Sequence, residues 1–131
     1  MQVEKDVIYD EAHDLPVDIY VPDAANGGAV IYAHGGGWFR GDKENESDLG
    51  QYLADAGYLV AIPNFRLAPK FLYPTAQNDF DHFINWLLAS PYEFDRERVG
   101  LLGASSGGTM VLQNSLTTGY PVVAWSPVVD F

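Results

Sequence analysis

Apolar residues along this chain fall into short runs separated by longer amphipathic stretches. Val17-Asp18-Ile19-Tyr20-Val21 alternates, which predicts a strand with one solvated face. Ala29-Val30-Ile31-Tyr32-Ala33 and Tyr58-Leu59-Val60-Ala61-Ile62 are continuous, as expected of strands covered on both faces. Two shorter runs, Val99-Gly100-Leu101-Leu102 and Val122-Val123-Ala124-Trp125, complete the strand set. Between them the period changes. From Glu44 to Ala56 the residues Leu49, Tyr52, Leu53 and Ala56 share a helical face, and Gly57 stands where a helix stops. Thr75 is placed to cap a second helix. Its stripe is Phe80, Phe83, Ile84, Leu87 and Leu88, with Asp79 near its first turn and Ser90-Pro91 at its end. A third helix runs from Ser106 to about Thr117.

Alternating strands and helices with short connections predict an α/β fold: a mostly parallel sheet with helices on both faces. The first two runs have no helix between them and are expected to form an antiparallel N-terminal edge. A length of 131 residues suits one domain.

Composition narrows the classes. With 18 acidic and 7 basic side chains the formal charge is −11, which argues against nucleic acid and anionic membrane as partners. The chain has no cysteine, so disulfides, thiolate metal sites and thiol catalysis are excluded. The first six residues lack the basic-then-apolar build of a signal peptide, and no apolar run approaches membrane-spanning length. A soluble cytoplasmic protein is expected. No cofactor and no metal is expected.

Two glycine-rich segments carry chemistry. Gly103-Ala104-Ser105-Ser106-Gly107 fits G-x-S-x-G between a predicted strand and a predicted helix. Flanking glycines relieve the crowding of a sharp strand-to-helix turn, which lifts Ser105 above the sheet as a nucleophile. His34-Gly35-Gly36-Gly37-Trp38 follows a buried strand, and its unobstructed N–H groups can meet a developing oxyanion. A phosphate cradle is the weaker reading, because neither G-x-G-x-x-G nor a G-K-[ST] ending occurs. His34 is read as bracing the loop rather than as a catalytic base. Trp38 and Phe39 either line an acyl pocket or belong to the core. Phe71, Leu72 and Tyr73 either shape the pocket mouth or pack as loop hydrophobics.

These segments occur in order with Gly41-Asp42-Lys43, Phe65-Arg66-Leu67-Ala68-Pro69, Pro74-Thr75-Ala76-Gln77-Asn78-Asp79 and Ser126-Pro127-Val128-Val129-Asp130. In that combination the chain resembles the hormone-sensitive-lipase-like esterases of the α/β-hydrolase superfamily, from Val17 to its end. The resemblance implies a three-layer α/β-hydrolase fold and a small-molecule ester as substrate. Ser105 would be the nucleophile, and the N–H groups of Gly36, Gly37 and Ser106 the oxyanion hole. Arg66 and Asp79 would be structural. Departures are Phe65 where the family has Tyr, Lys70 where it commonly has Glu, and Ala104 and Ser106 where it often has Asp and Ala.

The family's chain order is serine, acid, histidine, yet His13, His34 and His82 all precede Ser105. His82 is expected to face solvent, and Asp130, the sole later carboxylate, to be structural. The base and acid are therefore expected outside this chain, which reads as the first part of a larger hydrolase, truncated after about the sixth strand. In such a piece the strand at 122–125 would be an exposed sheet edge open to self-association. Two readings compete with an esterase: a catalytically incomplete binding or assembly module, and an amide or formamide hydrolase of the same fold.

Overall fold

The computed structural model describes residues 1–127. It holds strands β1 (Gln2–Asp10), β2 (Leu15–Val21), β3 (Ala29–Ala33), β4 (Leu59–Pro63), β5 (Val99–Ala104) and β6 (Val122–Trp125), with helices α1 (Ser47–Asp55), α2 (Thr75–Leu88) and α3 (Ser106–Thr118). A single 3₁₀ turn, Lys43–Glu46, precedes α1. The strands form one sheet in the order β1-β2-β4-β3-β5-β6. From β4 through β6 all pairs are parallel, while β1 and β2 are antiparallel to each other and β2 is antiparallel to β4.

Two cores explain the layers. On one face Val17, Ile19, Ile31 and Leu101 pack with Phe80, Phe83, Leu87 of α2 and Met110, Val111 of α3. On the other, Tyr20, Tyr32, Val60 and Ile62 meet Ala54, Leu49 and Leu53 of α1. This is the expected helix–sheet–helix arrangement, and the α2 stripe lies inward as its period requires. Each fully buried aromatic of that stripe contributes roughly 1.5–3 kcal/mol of apolar transfer. Among the described residues no helix is long and apolar enough to cross a membrane.

Four expectations need correction. The antiparallel edge is made by β1 and β2, and β3 lies inside the parallel sheet. β1 has no clear strand pattern in the sequence because its alternation, Val3, then Val7 and Tyr9, is broken by a register shift around Asp6, whose φ is 57°. Thr75 does not cap α2: Pro74 holds that position without a side-chain bond, and Thr75 donates its N–H to Leu72 O instead. Asp79 lies past the first turn of α2 and serves Arg66. Its carboxylate accepts the Arg66 main-chain N–H at 2.9 Å and is gripped by the guanidinium at 2.7 and 3.0 Å. Tyr52 lies off the apolar face of α1 and is largely exposed. Gly57, with φ 103°, does end that helix.

The turn before α1 is fastened by a buried amine. Lys43 is 2% exposed, and its Nζ lies 2.7 Å from Asp6, 3.0 Å from Asp18 and 3.3 Å from Glu44. The three carboxylates converge as they would on a metal, but the cation among them is the protein's own. Asp18 is fully buried, so an ammonium is the counter-charge that its burial requires. Hydrogen bonds to these carboxylates raise the lysine's pKa above its ordinary value, against the opposing effect of burial. The cluster joins β1, β2 and the 3₁₀ turn into one unit.

Lys43→Met is expected to cost about 3–5 kcal/mol in urea unfolding, because it strands the Asp18 carboxylate in the interior. Adding Asp18→Asn should restore a large part of that loss. If the double variant is no more stable than the single one, the charge pairing is not what holds this corner.

Candidate active site

In open α/β sheets the ligand crevice lies beyond the carboxyl ends of the strands, where successive connections run in opposite directions. Here the chain leaves β3 toward β4 and later enters β5 on the other side of β3, so that point lies between β3 and β5. The ends of these strands are in register, Ala33 opposite Gly103. The two segments singled out in the sequence leave from these ends, which brings the His34 loop against the Ser105 turn. Ser105 Cβ stands 3.3 Å from the place a Gly35 side chain would occupy.

The serine turn is sharp and strained. Ser105 has φ 55° and ψ −121°, a conformation that costs an L-residue about 1–3 kcal/mol. Main-chain bonds fix it: Ser105 N–H donates to Trp125 O at 2.8 Å, and Ser105 O accepts from Thr109 N–H at 3.2 Å. A side chain at Gly107 would collide with the Ala33 carbonyl, so α3 can start this close to β3 only with glycine there. The first N–H groups of α3, including that of Ser106, have no carbonyl a turn behind them and carry the positive end of the helix dipole.

The facing loop is a tight turn. Phe39 and Arg40 both donate their N–H to Gly36 O, at 3.2 and 3.1 Å. Gly36 has φ 130°, and a side chain there would strike the Arg40 carbonyl. Gly37 (φ 66°) donates its N–H to Ser106 Oγ at 3.0 Å. Trp38 O accepts from Ala68 N–H at 2.7 Å, which ties the loop to the segment after β4. His34 is buried beneath, stacked on Phe65 with ring centres 4.3 Å apart. Its Nδ1 lies 2.9 Å from Gly35 O, and a carbonyl only accepts, so Nδ1 carries the hydrogen. Burial holds the imidazole below its usual pKa, outweighing the bond to Gly35, which pulls the other way.

The structure therefore brings Ser105, Ser106, Gly35, Gly36, Gly37 and His34 into one constellation. Trp38 is half-buried and packs against the larger core. Phe39 is 55% exposed with the Arg40 guanidinium 5.3 Å above its ring. Tyr73 is 51% exposed and donates its hydroxyl to Gln113 at 3.1 Å. His82 faces solvent on α2, and His13 pairs with Asp10 at 2.9 Å. Asp130 lies outside the described residues. Two cavities, of about 380 and 420 Å³, open at the opposite ends of the strands, near Gly28, Val99 and Tyr92. They hold none of these residues. What sequence reasoning missed is the Ser106 hydroxyl. The motif points only to its main-chain N–H, and nothing in the sequence shows that the side chain turns toward Gly37.

A six-stranded sheet with a strained serine between β5 and α3, faced by a triple-glycine turn after β3, defines the α/β-hydrolase class. The BD-FAE family profile matches residues 17–121. An arylesterase of Saccharolobus solfataricus is 33% identical over 128 residues, covering 92% of this chain and 42% of that protein. An ethyl acetate hydrolase of Pseudomonas putida is 36% identical over 115 residues, covering 81% of this chain and 36% of that protein. A solved arylesterase structure superposes with a TM-score of 0.85 at 29% identity, covering 98% of this chain and 46% of that one. The chain belongs to the BD-FAE family, within the hormone-sensitive-lipase-like esterases of the α/β-hydrolase superfamily. It spans less than half the length of these relatives.

A histidine held below its ordinary 6.5 stays neutral in the fold, whereas the unfolded chain takes up a proton below that value. The unfolded state then binds more protons, so stability is full above about pH 6.5 and falls as pH drops toward the folded value. His34→Gln is expected to flatten the fall in urea stability between about pH 6.5 and 5. An unchanged slope would mean that His34 is not the group responsible.

Proposed function

We propose that this chain supplies the nucleophile and oxyanion half of a serine carboxylic-ester hydrolase. The observation that carries the reading is the juxtaposition of Ser105, strained at the start of α3, with the Gly36–Gly37 turn joined to it through Ser106. Ser105 Oγ attacks the ester carbonyl carbon and gives its proton to a general base. The carbonyl oxygen becomes an oxyanion held by the N–H groups of Gly36, Gly37 and Ser106, each such donor worth about 3 kcal/mol. Collapse expels the alcohol, which takes the proton, and leaves an acyl group on Ser105 for water to remove. His34 braces the loop: its Nδ1 is committed to Gly35 and its ring to Phe65.

We give the base role to none of the three histidines: His13 pairs with Asp10, His34 lies under the loop with Nδ1 bonded to Gly35 O, and His82 is exposed on α2. We assign base and acid to residues outside these 131, in the same polypeptide or a partner chain. The ester preference, and a small acyl or aryl ester as substrate, draws on the names of the arylesterase and ethyl acetate hydrolase relatives. The placement of the three histidines also favours a second reading, a binding module that keeps the site without its chemistry.

A fluorophosphonate discriminates. With imidazole added as a soluble base, it should label Ser105 and no other residue, and Ser105→Ala should abolish the adduct in intact-mass measurement. Without imidazole, labelling should fall at least tenfold, a threshold set below the roughly 10²–10⁴-fold of a positioned general base because a soluble base replaces it only in part. Failure to label with imidazole present would favour the binding module.

A further inference from the structure

Ser106 enters the proposed mechanism through its main-chain N–H, yet its side chain is engaged too. Ser106 Oγ accepts the Gly37 N–H at 3.0 Å, a part-buried bond whose acceptor residue is only 1% exposed while Gly37 itself lies on the exposed rim. Gly37 N–H is one of the three donors that the oxyanion site requires. An amide hydrogen serves one acceptor well, and in the unliganded protein this one is taken.

We propose that the Ser106 hydroxyl is a built-in competitor for the Gly37 N–H, withholding this donor from a neutral ester carbonyl and yielding it to an oxyanion. The proposal deepens the hydrolase reading and rests on it. A hydroxyl and an ester carbonyl are both neutral acceptors, so exchanging one for the other gains little. An oxyanion forms charge-assisted bonds about twice as strong, so the exchange becomes favourable as charge develops. An interaction made only in the transition state raises kcat rather than lowering KM.

The geometry suits this device. Gly37 takes φ 66°, and Ser106 is the first residue of α3, where its own N–H has no helical partner. One residue thus offers a free donor through its main chain and occupies a neighbouring donor through its side chain. A step about χ1 to another staggered position takes Oγ off Gly37 without moving the backbone. The Ser106 hydroxyl accordingly has a positioning role, setting when the Gly37 donor becomes available, apart from the main-chain N–H that meets the oxyanion.

Phenylboronic acid is a suitable probe, because it becomes tetrahedral on a serine and needs no protein base. The Ser105 oxygen bonds to boron, boron becomes anionic, and the hydroxyl proton passes to buffer. Wild type, Ser105→Ala and Ser106→Ala are compared by titration and by the Gly37 amide signal in ¹H–¹⁵N spectra. In Ser106→Ala the free-state Gly37 amide should shift and exchange faster. The boronate should bind about fivefold tighter, the equivalent of one ordinary neutral hydrogen bond no longer competing. Ser105→Ala should bind none. A Gly37 signal unmoved by Ser106→Ala overturns the proposal, since the bond would be absent in solution. A shifted signal with equal or weaker boronate binding also overturns it, because the hydroxyl would then merely hold the loop. Both outcomes leave the hydrolase reading standing if wild type forms the adduct. A wild type that forms no adduct at Ser105 overturns that reading and the competitor with it.

Discussion

The parallel pairing of β3 with β5, and the near-contact of α3 that it imposes, is the constraint from which the site follows. Ala33 and Gly103 close the two strands side by side, and the Ala33 carbonyl occupies the space into which a Gly107 side chain would project. With no side chain there, α3 begins almost on top of the sheet. The chain must then turn within one residue, and Ser105 absorbs the turn with its positive φ. The energy held in that residue is small beside the two cores that clamp β3 and β5 from both faces. The strain is sustained because the surrounding packing leaves no alternative path.

The same pairing accounts for the opposite loop. β3 ends level with β5, so whatever follows it must share the crowded rim. The triple glycine meets that demand, and His34, stacked on Phe65 below, fills the space under a loop with almost no side chains of its own. Buried and neutral, it behaves as packing that also satisfies a carbonyl. Its neighbour in the motif, Trp38, turns back to the larger core.

Much of this was legible in the residues. The buried runs of β3 to β6 and the stripe of α2 announce themselves by period, and the two glycine motifs mark the rim. What escaped was whatever depends on an interruption or on a partner far along the chain. β1 is hidden by the shift at Asp6. The turn before α1 reads as a charged surface until Asp18, 25 positions before Lys43, is seen to supply its counter-ion. Asp79 and Arg66 both read as structural through the resemblance, but that the two bond to each other is not legible in the sequence. The Ser106 hydroxyl is equally hidden, since a rotamer has no signature in the sequence.

Burial of Lys43 also alters how the surface presents itself to chemistry. The chain has three lysines, Lys5, Lys43 and Lys70, and only Lys43 is enclosed. Reagents that acylate amines, and enzymes that acetylate them, meet Lys5 and Lys70 on the folded surface. The third amine becomes available only when the corner between β1 and the 3₁₀ turn opens. A single side chain thus records, as a permanent mark readable by mass, how often that corner comes apart.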